Sequence, residues 1–240
     1  MTPKVNAGLW FVVLFSGLLA SLSFSWNLIA GQDYGYRWLY DLYQIEQHID
    51  KYAPQNRYIL GLDSVERQDH ERMFAEIVHA IHRQGEGLEA ISFQRAGQDV
   101  SLLRQPEVVH LQDVANLVDF FQLLGLMATL IVVLLGSWLI LSGSQPAWKQ
   151  QLAILLGVVL VSTSLVLVIG PKAVFYQFHV WIFPPDHEWF FYYQDSLMTT
   201  LMKAPHVFGA IAAAILLGGL AIFAGLAYGL KHLAEQRLKG

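Results

Sequence analysis

Apolar residues gather in four long runs along the chain. The runs are Leu9–Ala30, Val118–Leu141, Leu152–Ile169 and His206–Leu230. Each has about the 20 residues needed to cross a hydrocarbon core roughly 30 Å thick. Asp119, at the edge of the second run, is the only Asp, Glu, Lys or Arg within them. The pattern therefore predicts four membrane-spanning helices.

The long segment between the first two runs has helical and strand periods of its own. Tyr34–Lys51 is predicted to be a helix, and Arg67–Arg83 places its apolar residues on one helical face. Leu88–Phe93 alternates as a strand does, and Val100–Leu103 is predicted to pair with it across a turn at Ala96–Gln98. These elements predict a small α+β cap domain.

Basic residues at the ends of the runs predict the orientation of the chain in the membrane. Lys4, Lys149, Lys231, Arg237 and Lys239 flank the ends that share one side. Positive charge is enriched on the cytoplasmic side of membrane proteins, so both termini are predicted to be cytoplasmic. The cap and the segment after the third run are then extracytoplasmic.

The predicted fold class is mainly α: a polytopic four-helix transmembrane protein with a small extracytoplasmic α+β cap domain between the first and second spans. The predicted segments, in chain order, are a first transmembrane helix (1–30), the cap domain (31–117), a second transmembrane helix (118–141), a cytoplasmic turn (142–151), a third transmembrane helix (152–169), an outer aromatic-rich loop (170–205), a fourth transmembrane helix (206–230) and a cytoplasmic tail (231–240).

The composition agrees with a membrane protein and removes several other classes. The 240 residues are 55% hydrophobic and only 14% charged, which is unusual for a soluble domain. The formal net charge is −4, and no basic stripe or stacking motif indicates a nucleic-acid partner. The chain has no cysteine, which excludes disulfides, thiol nucleophiles, zinc-thiolate sites and lipidation of a cysteine of its own.

Nine histidines are the main chemical resource of the chain, and four of them are expected to be ordinary. His48, His70, His79 and His82 are expected on the polar faces of the cap helices. His79 and His82 have a spacing suited to zinc, but no third ligand lies near them in sequence, so no metal site is predicted.

His110 stands in a regular polar pattern just before the second span. Pro106 is a typical first residue of a helix, and on that helix Glu107, His110 and Asp113 lie along one side. A carboxylate beside an imidazole fixes its tautomer and raises its basicity, as a general base requires. The same pattern is equally typical of a solvated stripe of salt bridges, and both interpretations stay open.

His179 lies among aromatic residues just outside the third span. An interfacial aromatic belt explains the rings of Phe175–Phe183. An ionisable group among apolar rings, however, must find a polar partner or stay neutral. His110 and His179 follow neighbouring spans on the same side of the membrane, which allows a shared cavity at the level of the lipid headgroups. Further along, Asp195 is expected to cap a short helix.

Two short motifs and their order relative to the spans resemble a known family. The residues are Glu107-x-x-His110-x-x-Asp113-Val114 before the second span and Phe178-His179-x-x-x-Phe183 after the third, followed by Trp189, Asp195 and Leu197. With the four spans and the large segment between the first two, this arrangement resembles the bacterial lipoprotein intramolecular transacylases over the whole length of the chain.

The resemblance implies an acyltransferase that carries out an O-to-N intramolecular transfer. It would move the sn-2 acyl chain of a diacylglyceryl lipoprotein to the α-amine of the same amino-terminal cysteine, giving a lyso-form lipoprotein. The implied partners are this lipoprotein and membrane lipid, without a metal or other cofactor, and the implied location is the bacterial cytoplasmic (inner) membrane. The implied site consists of catalytic His110 and His179, orienting Glu107 and Asp113, and the substrate or interface contacts Phe178, Phe183, Trp189 and Asp195.

Three other functions are compatible with parts of the pattern. A haem-binding electron-transfer subunit would use His110, His179 and His206 as axial ligands, but no span carries a histidine at its middle. A non-catalytic accessory membrane protein would bind a partner through its cap and would tolerate loss of both His110 and His179. A phospholipid acyltransferase would use much of the same chemistry on another lipid.

Overall fold

A computed structural model of the chain describes residues 3–239. The side chains of Lys4 and Lys239, on which the predicted orientation partly depends, lie outside the described part of the chain. The elements, in chain order, are α1 (Pro3–Ala30), α2 (Tyr36–Leu42), α3 (Ile45–Tyr52), α4 (Arg67–Ile81), β1 (Ser92–Arg95), β2 (Gln98–Ser101), α5 (Gln105–Ile131), α6 (Ser137–Leu141), α7 (Trp148–Ile169), α8 (Pro171–Ile182), α9 (Leu197–Met202) and α10 (His206–Lys239).

The four predicted apolar helices are confirmed. Helical stretches at Val5–Ala30, Gln105–Leu141, Trp148–Ile169 and His206–Leu238 are long and apolar enough to cross a membrane. The second is α5 and α6 joined by one π-helical segment, Val132–Gly136. Many large apolar side chains of these helices are exposed, as is expected of residues that contact lipid.

The chain divides into two compact units. The first unit consists of residues up to 28 together with 121–171 and those from 213 onwards, and the second unit consists of 29–120 and 172–212. The second unit therefore combines the predicted cap with most of the segment predicted to be an aromatic-rich loop.

Small residues let the helices of the first unit pack closely. A Cβ atom added to Gly125 of α5 would overlap with the Ser23 side chain of α1. One added to Gly218 of α10 would lie 2.5 Å from the Ser25 hydroxyl of the same helix α1. Close approach of this kind favours helix association by van der Waals packing, which matters where lipid removes the hydrophobic driving force.

The helix predicted at Tyr34–Lys51 is two helices in the structure. The break lies between α2 and α3 at Gln44, whose φ of 51° is left-handed. Tyr40 of α2 and Ile45 of α3 are both buried, yet five residues on one straight helix would point them in different directions. The turn at Gln44 returns Ile45 and Ile49 to the core.

The predicted hairpin is confirmed, but both strands are shifted: β1 starts at Ser92, later than Leu88, and β2 starts at Gln98, two residues before Val100. β1 pairs antiparallel with β2, and Phe93 stands opposite Val100. Leu88–Ala90, predicted as part of the strand, is a 3₁₀ turn that follows Gly87 at a φ of 89°. Ala96 and Gly97 both have positive φ, as a two-residue type I′ hairpin turn requires.

Two of the four cap histidines are buried, which corrects the expectation that all lie on polar faces. His70 accepts a hydrogen bond from the Tyr40 hydroxyl at 2.9 Å and donates one to the Leu62 carbonyl at 2.9 Å. The ring of His48 packs on Tyr193 at 4.5 Å between centroids, and burial lowers its pKa to about 4. Both rings are structural, neutral parts of the core.

Residues 170–205 contain two helices where mainly a loop was expected. Gly170 ends α7 with a φ of 98°, and Pro171 begins α8 at the position where proline suits a helix. The expected short helix is α9, but Ser196 caps it: its Oγ accepts the Thr199 N–H at 2.9 Å. Asp195 is instead bound to Arg57, at 2.7 Å.

Candidate active site

The structure brings His110 and His179 together in the second unit. His110 lies in the second turn of α5 and His179 in the third turn of α8. Their ring centroids are 6.0 Å apart, and each residue is only 8% exposed. Two imidazoles at this separation are close enough to act on two atoms of one reacting group.

The local helix fixes the tautomer of His179. Its Nδ1 lies 2.7 Å from the carbonyl oxygen of Phe175, one turn earlier on α8. A carbonyl only accepts, so Nδ1 carries the proton and Nε2 carries a lone pair. Burial lowers the pKa of His179 below its ordinary value, which keeps the ring neutral near pH 7. His179 is therefore suited to accept a proton.

His110 has an uncommitted ring nitrogen. Its Nδ1 is buried and has no hydrogen-bond partner among residues 3–239. Buried polar atoms in proteins are nearly always paired, and an unpaired one commonly marks a catalytic role or a place for water or a ligand. His110 Nδ1 is thus not committed to another group of the described residues.

Aromatic rings enclose the two histidines. Phe183 packs on both, at 4.9 Å from His110 and 5.1 Å from His179 between ring centroids. Trp189 lies 4.9 Å from His179. Phe178 is 5.7 Å from the same ring, and the residue is 37% exposed. Such walls exclude water and strengthen hydrogen bonds to developing charge.

Glu107 is held away from His110 by other partners. Its side chain is fully buried, and the Ser196 hydroxyl donates to its Oε1 at 2.5 Å. The backbone N–H of Arg104 donates to Oε2 at 2.9 Å, and the Arg104 guanidinium lies 3.2 Å from the same oxygen. The expected orienting role of Glu107 is therefore not carried by a hydrogen bond to His110. Glu107 instead ties α9 to the start of α5.

Asp113 pairs with His187, which lies in the segment after α8. The Nδ1 of His187 donates to Asp113 Oδ2 at 2.6 Å, and the side chains are 34% and 15% exposed. This hydrogen bond raises the pKa of His187 above its ordinary value. No spacing pattern predicts this contact, because 74 residues separate the partners.

Of the four predicted substrate or interface contacts, three lie beside the histidine pair and Asp195 does not. Phe183 and Trp189 line the histidine pair directly, and Phe178 adjoins it at an exposed edge. Asp195 forms a salt bridge with Arg57, with a shortest separation of 2.6 Å, and has no described contact with either histidine of the pair.

Comparisons with known proteins give a family and a fold. A family model described as lipoprotein intramolecular transacylase Lit matches residues 11–204. The fold matches a solved structure of the membrane integral lipoprotein intramolecular transacylase Lit from Bacillus cereus, with a TM-score of 0.70, 18% identity and 100% of both chains covered. No curated protein sequence matches the chain.

Two further solved structures are variants of the same Bacillus cereus protein, with one histidine replaced by arginine or by alanine. Both have a TM-score of 0.70 and 17% identity. The matches cover 98% of this chain and 94% of the arginine variant, and 99% of this chain and 97% of the alanine variant. Because so few residues are identical, these structures show a shared fold.

Proposed function

Because this chain belongs to the lipoprotein intramolecular transacylase family, we propose that it moves the sn-2 acyl chain of a diacylglyceryl lipoprotein to the α-amine of the lipoprotein's amino-terminal cysteine. The product is a lyso-form lipoprotein. The observation that carries this proposal is the pair of buried histidines, His110 and His179, 6.0 Å apart within an aromatic enclosure. Neither needs a metal or a diffusible cofactor for acid–base work.

The two histidines take different roles in the proposed reaction. His179 accepts a proton at Nε2, since its Nδ1–H is committed to the Phe175 carbonyl. His110 donates a hydrogen bond or a proton to the oxyanion or to the departing glycerol oxygen. A new C–N bond forms at the ester carbonyl while its C–O bond to glycerol breaks. His179 passes the proton taken from nitrogen to the glycerol oxygen, directly or by replacing the proton that His110 gives, so both imidazoles end the reaction neutral.

Because the reaction is intramolecular, the protein does not have to bring two separate substrates together. Donor ester and acceptor amine belong to one molecule, so the site chiefly holds them in attack geometry. Phe183, which packs on both histidines, and Trp189, which packs on His179, are suited to this positioning. Loss of either imidazole is expected to lower the rate roughly 100- to 10,000-fold.

The surface of α8 supports a lipid substrate. Phe178, Trp181 and Ile182 are three and four residues apart on one helical face and are all exposed. An apolar face of this kind is suited to acyl chains or to the membrane interface. We place residues 31–117 and 170–205 outside the bacterial cytoplasmic membrane and both termini inside, as the flanking Lys149, Lys231 and Arg237 indicate.

The proposal is tested by mass spectrometry of lipoprotein amino-terminal peptides from a bacterial host that makes only diacylglyceryl lipoproteins. Cells expressing the wild type are expected to yield peptides with one amide-linked and one ester-linked acyl chain. A His110→Ala, His179→Ala double variant is expected to leave them diacylglyceryl. His79→Ala, at an exposed histidine of α4, is the matched control and should behave as wild type.

Unchanged diacylglyceryl peptides, despite good membrane expression of the wild type, would contradict the proposal. The accessory-protein and phospholipid-acyltransferase alternatives would then remain. Analysis of lipids from the same cells separates these two, since only the second alters the acyl chains of phospholipids.

A further inference from the structure

The proposed reaction releases one proton to water in each turnover. The α-amine of a peptide has a pKa of about 7.7–8.0, so it enters largely as an ammonium group near pH 7. An ammonium group has no lone pair and must lose a proton before nitrogen attacks the ester. The second N–H proton passes to the glycerol oxygen, and the first leaves the site.

The buried pair His110 and His179 is suited to moving the second proton, from the amine nitrogen to the glycerol oxygen. His110 and His179 are each only 8% exposed, which favours transfer from one substrate atom to another. A group that takes the first proton and hands it to solvent needs more contact with water. It also needs a basicity near that of the amine for efficient transfer.

His187 meets the first requirement, and its hydrogen bond to Asp113 raises its pKa toward the second. His187 is 34% exposed at its side chain, and its Nδ1 lies 2.6 Å from the Asp113 carboxylate. Asp113 follows His110 by three residues on α5 and acts electrostatically on it. His187 precedes Trp189 by two residues, and the Trp189 ring is 4.9 Å from His179. Asp113 thus lies one helical turn from His110, and His187 belongs to the segment whose Trp189 packs on His179.

The charges around this pair favour a cation. The groups that act on His187 are carboxylates, Asp113 from α5 and Asp186 from its own segment. The other carboxylate close to His110 in sequence, Glu107, is buried and already bound to Ser196 and Arg104. Asp113 is therefore the carboxylate in direct contact with His187 at which an ammonium ion can bind.

We propose that Asp113 binds the α-ammonium group of the lipoprotein and that His187 removes its first proton. This inference rests on the proposed transacylase function. The ammonium N–H bond breaks as an N–H bond forms on His187, whose positive charge the Asp113 carboxylate stabilises. His187 then gives that proton to water. The neutral amine attacks the ester, and His110 and His179 move the second proton to the glycerol oxygen.

The test compares wild type and His187→Gln in the full-length membrane protein, using a synthetic diacylglyceryl lipopeptide at pH 6.5 and pH 9. Raising the pH over this interval increases the fraction of neutral amine roughly 20-fold, from about 5%. Because about 5% of the amine is already neutral at pH 6.5, the variant is expected to lose up to about 20-fold in rate there and to approach the wild-type rate at pH 9. Asp113→Asn is expected to change in the same direction.

The control is His79→Gln, because His79 also lies near a carboxylate, Asp33, at 3.7 Å, but outside this site. It should match wild type at both pH values. An equal loss for His187→Gln at both pH values, or no loss at either, would overturn the inference. A wild type that makes no lyso-form product at either pH would instead overturn the proposed function itself.

Discussion

Replacement of Ser196 by alanine tests the link between α5 and α9. Ser196 is fully buried and makes two hydrogen bonds: its hydroxyl donates to Glu107 and accepts the Thr199 N–H. A hydrogen bond to a charged group contributes about 1.5–3 kcal/mol, and a helix N-cap contributes about 1 kcal/mol. Ser196→Ala should therefore lower the free energy of unfolding by about 2.5–4 kcal/mol.

The assay is thermal unfolding of the purified protein in detergent, followed by tryptophan fluorescence. A chain of this size loses about 2–4 °C of melting temperature per kcal/mol, so the expected decrease is roughly 5–16 °C. Ser142→Ala is the control, since that exposed hydroxyl donates only to Trp138 within its own helix segment. It should change stability by less than about 0.5 kcal/mol.

A glycine variant separates the two contributions of Ser196. Glycine replaces serine at an N-cap at a loss of only a few tenths of a kcal/mol, but it cannot donate to Glu107. Ser196→Gly should therefore retain most of the destabilisation. If Ser196→Ala melts no lower than Ser142→Ala, the proposed role of the Glu107 contact in joining α5 to α9 is refuted.

Two further substitutions test the packing of α5 against α1 and the pH dependence of the Asp113–His187 pair. Gly125→Ala places a Cβ atom where Ser23 lies and should destabilise by about 1–3 kcal/mol, whereas Gly157→Ala, which meets open space, should not. Thermal unfolding in detergent measures both. Asp113 raises the pKa of His187, so this pair stabilises the fold fully below about pH 6.5 and stops doing so as pH rises through the raised value. The melting difference between wild type and His187→Gln should therefore be largest near pH 5 and shrink above neutrality.

The parts of the fold that the sequence predicts are those set by local pattern. Four long apolar runs require helices in lipid, because every backbone polar group must be satisfied within the segment. The hairpin follows from alternation around Ala96 and Gly97, both of which adopt positive φ. The position of His110 and His179 relative to the spans allows a shared cavity, and the structure places their rings 6.0 Å apart.

The missed features depend on contacts between distant residues. The break at Gln44 has no glycine or proline to mark it and is favoured by burial of Ile45 and Ile49. Asp113 and Glu107 were expected at His110, but Asp113 bonds to His187 and Glu107 to Ser196, 74 and 89 residues away. Helical spacing indicates which side chains share a face, and it does not determine which partner each one binds.

The central claim is an acyl transfer within one lipoprotein molecule, and a crossover experiment with purified protein tests it most directly. Two diacylglyceryl lipopeptides of different sequence are mixed, and only one carries an isotope label in its sn-2 acyl chain. The account predicts that the label appears as an amide only on the peptide that carried it as an ester, and only when His110 and His179 are intact. Label on both peptides, or no amide product with the wild type, would contradict it.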